Sequence, residues 1–178
     1  MPKNPKGKSL LWGLGFLTAL CGASSSLFAR EILGSNEAEA AAWAQEKGYQ
    51  AQAPVQGSEG CLKNHRYVPM AGKDLQVKAA FYHPVYQLDT KIVAMVEFTP
   101  NSPLSKAQAE ALTVQVAPIA GTRPPTHRQA IPATPADPCA PPNGGMDGRY
   151  TEDYLVEYFY APDRARIEKV RVYNENIR

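Results

Sequence analysis

Three histidines, His65, His83 and His127, are the side chains of this sequence that change charge near neutral pH, and acid–base or metal chemistry would start from them. They stand 18 and 44 positions apart, with no His-Glu-x-x-His pair and no Cys-x-x-Cys beside them, so the spacing offers no metal site. The sequence also lacks a Gly-x-Ser-x-Gly elbow, a phosphate-binding loop and a dinucleotide fingerprint. His83 is then the one candidate for general acid–base work. It follows the strand-like run ending at Tyr82, precedes Pro84, and has Asp89 as a nearby acid. An ordinary strand-end histidine is the preferred reading, and no cofactor is expected.

The cysteines point to structure rather than reaction. Lys3, Lys6 and Lys8, the apolar run Leu10–Leu20 and the small residues Gly22–Ser26 have the order of a secretory signal peptide, and the run is too short for a membrane span of roughly 20 residues. Cleavage after Ala29, with cleavage after Ser26 as the nearest competitor, removes residues 1–29 and Cys21 with them, a discarded residue in preference to a lipidated one because the bulky Leu20 precedes it. Cys61 and Cys139 remain, and an even pair in an exported chain reads as one disulfide. A periplasmic or secreted location follows from the same signal. The signal also takes three of the 19 Lys and Arg and none of the 17 acids, so the mature chain is near neutral, without the basic excess of a nucleic-acid binder.

What remains is aromatic. Tyr154, Tyr158 and Tyr160 fall on one face of a C-terminal strand, with Tyr173 on its partner. With Leu155 and Phe159 inward, the tyrosines form a rigid exposed patch for protein or glycan contact. With the opposite parity they are core. The buried option is the favoured one, because the exposed option also buries Glu157, which then needs a partner.

The elements that would position these groups follow from local pattern. Residues 36–48 predict a helix capped by Ser35 or Asn36 and stopped by Gly48, with Trp43 as its one large apolar anchor. Residues 49–60 read as loop, and 61–70 as a short strand that Pro69 confines to an edge. Leu75–Tyr82 and Lys91–Phe98 alternate as strands. The second, apolar on both sides, suits the sheet centre, with Ile92, Ala94, Val96 and Phe98 on one face. Ser105 and Gln108 form a capping-box pair that predicts a helix over 105–112, followed by a short strand at Thr113–Ala117.

Eight prolines in the 25 positions 118–142 predict an extended excursion without regular structure, stapled to the body through Cys139. Asn143–Gly148 reads as a turn. Asp153–Tyr160 and Arg166–Tyr173 then make a hairpin, with a bulge near Glu168 where Ile167, Val170 and Val172 break alternation. Through Val156–Tyr160, Asp163 and Val170–Val172 this hairpin resembles the strand-turn-strand of energy-transducing periplasmic domains of the TonB and TolA type; the resemblance implies the hairpin and no function.

The expected fold class is α+β: residues 30–178 as a single mature domain, a mainly antiparallel sheet of four to six strands with one or two short helices, and the proline-rich excursion stapled by one disulfide. The expected function is that of a small exported binding or assembly-accessory protein that acts through a surface on another envelope protein or on cell-wall glycan. An inhibitor or immunity-type protein of an envelope enzyme is the narrower version, and a small hydrolase using His83 is the rival class. Neither nucleic acid nor, after signal cleavage, a membrane span is expected.

Overall fold

A computed structural model describes residues 31–58, 62–63, 65–82, 91–118, 127–131, 144–150 and 153–174. Two helices, α1 (Glu37–Glu46) and α2 (Lys106–Val116), accompany nine strands among these residues: β1 (Gln50–Ala51), β2 (Val55–Gln56), β3 (Arg66–Ala71), β4 (Leu75–Tyr82), β5 (Ile92–Pro100), β6 (His127–Ile131), β7 (Met146–Tyr150), β8 (Tyr154–Tyr160) and β9 (Ile167–Asn174). All pairings are antiparallel, in the order β1-β3-β4-β5-β9-β8-β7-β6, with β2 also on β3. The meander β3-β4-β5 and the returning meander β6 to β9 therefore join along β5 and β9. An antiparallel sheet with two helices is an α+β fold, larger than the four to six strands expected.

Both helices begin where the side-chain chemistry places them. Asn36 accepts from the Glu39 N–H at 3.0 Å while the Glu39 carboxylate accepts from the Asn36 N–H at 2.9 Å, and Ser105 and Gln108 repeat this capping box on α2. Ser35 is not the cap; its hydroxyl donates to the Ile32 carbonyl at 2.6 Å. Past the end of α1, Gly48 takes φ +77°, the left-handed conformation that glycine adopts without steric cost.

Four local expectations are corrected. Residues 50–51 and 55–56 are short strands rather than loop, because β3 offers them an unpaired edge. Pro69 accordingly does not sit on an edge: its carbonyl accepts from Gln52 at 2.8 Å, and its missing N–H falls at the break between β1 and β2, where no ladder bond is required. Thr113–Val116 continues α2, since Thr113 and Val116 are buried against the sheet and that packing outweighs the mild helix cost of β-branching. His127–Ile131, a proline-free stretch inside the excursion, and Met146–Tyr150 are strands β6 and β7.

The main core lies between the helices and one face of the sheet. Trp43, Ala40 and Ala44 of α1 and Ala109, Thr113 and Val116 of α2 meet Val68, Met70, Val77, Ala79, Val96, Phe98, Val156, Val170 and Val172. Six consecutive residues of β5, Val93 to Phe98, are buried, as its two-sided apolar pattern implied. A bulge shifts its register: Phe81 pairs with Val93 and Ala80 with Met95, which leaves Ala94 unpaired and turns Val93 toward the helices. The second bulge is where it was expected. Phe159 pairs with Lys169 and Tyr160 with Ile167, so Glu168 is the extra residue.

Candidate functional site

The sheet face away from the helices carries the unexpected chemistry. Register places Lys78, Glu97, Arg171 and Glu157 side by side on β4, β5, β9 and β8, a row of alternating charge across four strands. Arg171 Nε donates to Glu97 Oε2 at 2.7 Å, and its Nη1 lies 3.9 Å from Glu157 Oε2. Lys78 and Lys169 stand 3.5 and 3.8 Å from the Glu97 carboxylate. The Arg171 guanidinium also covers the Phe159 ring at 4.6 Å. Cross-strand neighbours interact directly, so Glu97 and Arg171 meet opposite charge instead of water, while Lys78 and Lys169 reach Glu97 from partly exposed positions.

Burial alone would push the Glu97 carboxyl up, but Arg171, Lys169 and Lys78 outweigh it and hold the group below its ordinary range. A depressed acid supplies stability above its unfolded-state pKa, and that stability is lost as pH falls through the folded value. The expected result is a melting temperature that drops on acidification below the ordinary glutamate range, with a flatter acid limb in Glu97→Gln. Thermal melts of both proteins from pH 7 to pH 3 check it, and parallel acid limbs would refute the assignment.

The second feature is a cleft of about 460 Å³ where β6, β7 and β8 end, lined by Ala130, Gly144, Gly145, Met146, Asp147, Tyr160 and Arg164. That is the size of a small-ligand site. Glycine shapes its rim: a Cβ at Gly144 would run into the Tyr160 carbonyl, Gly145 has φ +84°, and its carbonyl accepts from the Tyr160 N–H at 3.0 Å. Arg164, in the loop joining β8 to β9, has φ 54°, an uncommon conformation for a residue with a Cβ. Asp163 anchors that loop by accepting from the Ala165 and Arg166 N–H groups and pairing with the Arg166 side chain at 2.8 Å.

Behind the cleft the polar groups are engaged with one another. Arg149 binds Asp147 at 3.2 Å and Glu110 of α2 at 3.3 Å, and lies over the Tyr158 ring at 4.8 Å. The Tyr158 and Thr113 hydroxyls are 3.1 Å apart, and Thr113 gives its proton to the Ala109 carbonyl, so Tyr158 donates. Burial, then Asp147, raises the Tyr160 phenol, which stays protonated at neutral pH. No protein-family model, curated protein or solved structure matches this chain. Its chemistry has to be read from its own residues.

The four tyrosines do not form one exposed patch. Tyr154 and Tyr158 are buried on the helix side, Tyr154 reaching Glu31 at 3.3 Å, because Val156, Tyr154 and Tyr158 share the face that packs under α2. Tyr160 borders the cleft and is half-buried. Tyr173 is half-buried on the opposite face beside Ala80 and Met95. On β8 this is the opposite parity, the favoured one; Leu155 and Phe159 lie on the other side of the sheet, where they too are buried.

His83, Cys61 and Cys139 lie outside the described residues. His65 is half-buried, and burial lowers its pKa. Among the described residues no group of three or more His, Cys, Asp or Glu side chains is placed to hold a metal, and no helix is long and apolar enough to cross a membrane. Sequence reasoning missed Glu97, Arg171, Asp147, Arg149 and Arg164. One signal was available: Glu97 is a lone charge inside the apolar run Ile92–Phe98, and such a residue in a central strand requires a cation on a neighbour.

Proposed function

We propose that this chain is a small exported binding protein that acts through a surface, with the cleft at the ends of β6, β7 and β8 as its contact. The observation that carries this reading is Arg164, held with positive φ at the wall of a ligand-sized cleft beside Tyr160 and Met146. Strained backbone concentrates at ligand clamps, and arginine and tyrosine are the residues that most often dominate binding. A protonated phenol and a guanidinium over an apolar wall suit a carboxylate presented by cell-wall glycan or by an envelope protein. The acid lining the cleft, Asp147, is engaged with Arg149, which favours recognition over proton transfer.

Export through residues 1–29 and a Cys61–Cys139 disulfide in residues 30–178 complete the reading. Protein recovered from the periplasm is expected to begin near Arg30 and to be two hydrogens lighter than its reduced form. Purified sacculi should retain it on sedimentation, or a photo-cross-linker at position 130, on the cleft wall, should capture one envelope protein in cells. Arg164→Ala and Tyr160→Phe, which keeps the half-buried ring and removes only its hydroxyl, should each weaken that retention or capture while melting normally. Neither retention nor capture with the parent protein, or undiminished binding by both variants, refutes the cleft as the contact.

A further inference from the structure

Three side chains bring unused hydrogen-bonding capacity to the cleft. Register sets Tyr158, Asp147 and Ala130 on one rung of β8, β7 and β6, on the helix side of the sheet, and Tyr160 follows on the same face. Arg149 holds Asp147 from behind through Oδ2, at 3.2 Å, while its Nη1 is taken by Glu110. A carboxylate has two oxygens with about four acceptor positions, and Asp147 Oδ1 has no partner among the described residues. The Tyr160 hydroxyl and the Arg164 guanidinium have none there either. We propose that the cleft takes a zwitterion, an amino-acid head group whose carboxylate meets Arg164 and Tyr160 and whose ammonium meets Asp147 Oδ1.

Charge selects this ligand over simpler ones. Arg164 and Asp147 carry opposite charges on the cleft wall, and Arg149 and Glu110 behind them also sum to zero. A zwitterion therefore enters with no net charge to bury, whereas a lone anion or a lone amine would leave one uncompensated. A lone carboxylate would also bring its charge toward Asp147, and like charges in one site repel. The Tyr160 phenol, raised by burial and by Asp147, keeps its proton and donates to the ligand carboxylate.

Shape leaves room for a modest apolar remainder beside the head group. Ala130 has nothing beyond its Cβ, so the rung stays open at the β6 end, and Met146 supplies an apolar surface next to it. A volume of about 460 Å³ suits one residue rather than a long chain. Two sources carry an ammonium and a carboxylate on one carbon. One is a free amino acid; the other is the unlinked end of a diamino acid in a cell-wall peptide.

This inference rests on the cleft as the contact of the proposed function and names the chemistry it reads. The purified protein is titrated with leucine, with N-acetylleucine, which lacks the ammonium, and with leucinamide, which lacks the carboxylate. Nuclear magnetic resonance follows the amide signals of Gly144 and Gly145. Leucine should shift them, and each truncated probe should bind about tenfold more weakly, the scale of one charge-assisted hydrogen bond. Asp147→Asn, which keeps an oxygen for Arg149, should erase the preference for leucine over N-acetylleucine alone. Arg164→Gln should erase the preference over leucinamide alone. On the parent protein, either truncated probe binding as tightly as leucine, or signals unmoved by all three, overturns the zwitterion. Retention by sacculi or cross-linking at position 130 separates the two readings: if it persists after such a result, the cleft remains the contact and the head group is wrong. A tripeptide ending in unlinked diaminopimelate assigns the source. Tighter binding than leucine places it in the cell wall, and weaker binding among free amino acids.

Discussion

Arg171→Ala should cost about 3–5 kcal/mol of folding stability, because it leaves the Glu97 carboxylate buried without its hydrogen-bonded partner. Lys78 and Lys169 remain near Glu97 but at 3.5 and 3.8 Å, without the 2.7 Å hydrogen bond, so the lower half of that range is the firmer expectation. For a domain of this size the loss corresponds to a drop of roughly 10 °C in melting temperature. The paired replacement Glu97→Met with Arg171→Met should be less damaging than the two single losses added together, because a buried ion pair hardly outweighs its own desolvation. Urea denaturation of the four proteins closes the cycle. A cost below about 1 kcal/mol for Arg171→Ala would mean the pair is solvated as a surface pair is.

The second large effect is at Trp43, the one bulky side chain of α1. It is fully buried and its ring is 5.7 Å from that of Tyr49, whose hydroxyl donates to Gln115 on α2 at 2.9 Å. Trp43→Ala empties that contact and should cost about 3–5 kcal/mol by lost transfer energy and an unfilled cavity. Trp43→Phe keeps a ring and should cost far less, since the indole Nε1 has no hydrogen-bond partner to lose among the described residues. Far-UV circular dichroism during denaturation measures both, because Trp43 is the sole tryptophan after residue 29 and its removal ends the fluorescence signal. Equal costs for the two variants would contradict the cavity argument and point to a role for the indole N–H.

How much of this was legible depended on the range over which each effect acts. Asn36, Gly48, Ser105 and Gln108 announce helix ends through bonds between residues three or four apart, so α1 and the start of α2 could be read directly. Leu75–Tyr82 and the final hairpin were legible through strict alternation and its single break at Glu168. Alternation failed at Ala94, because a bulge depends on which strand lies opposite. β6 and β7 were hidden by the surrounding prolines and glycines, which dominate local composition while saying nothing about an available sheet edge. For the candidate site, Tyr160 was singled out from the sequence, but its neighbours Asp147 and Arg164 were not. They come from β7 and the β8–β9 loop and converge only when the ladder forms.

The sequence by itself determined the capped helices, the principal strands and the solitary glutamate in an apolar run, because capping and periodicity act between near neighbours. Only the tertiary structure decided that the tyrosines of β8 face two different environments, that Lys78, Glu97, Arg171 and Glu157 form one row, and that both faces of β5 are dry. Cross-strand register sets each of these. The residues it brings together are up to 93 positions apart, from Lys78 to Arg171, and no local pattern encodes that pairing.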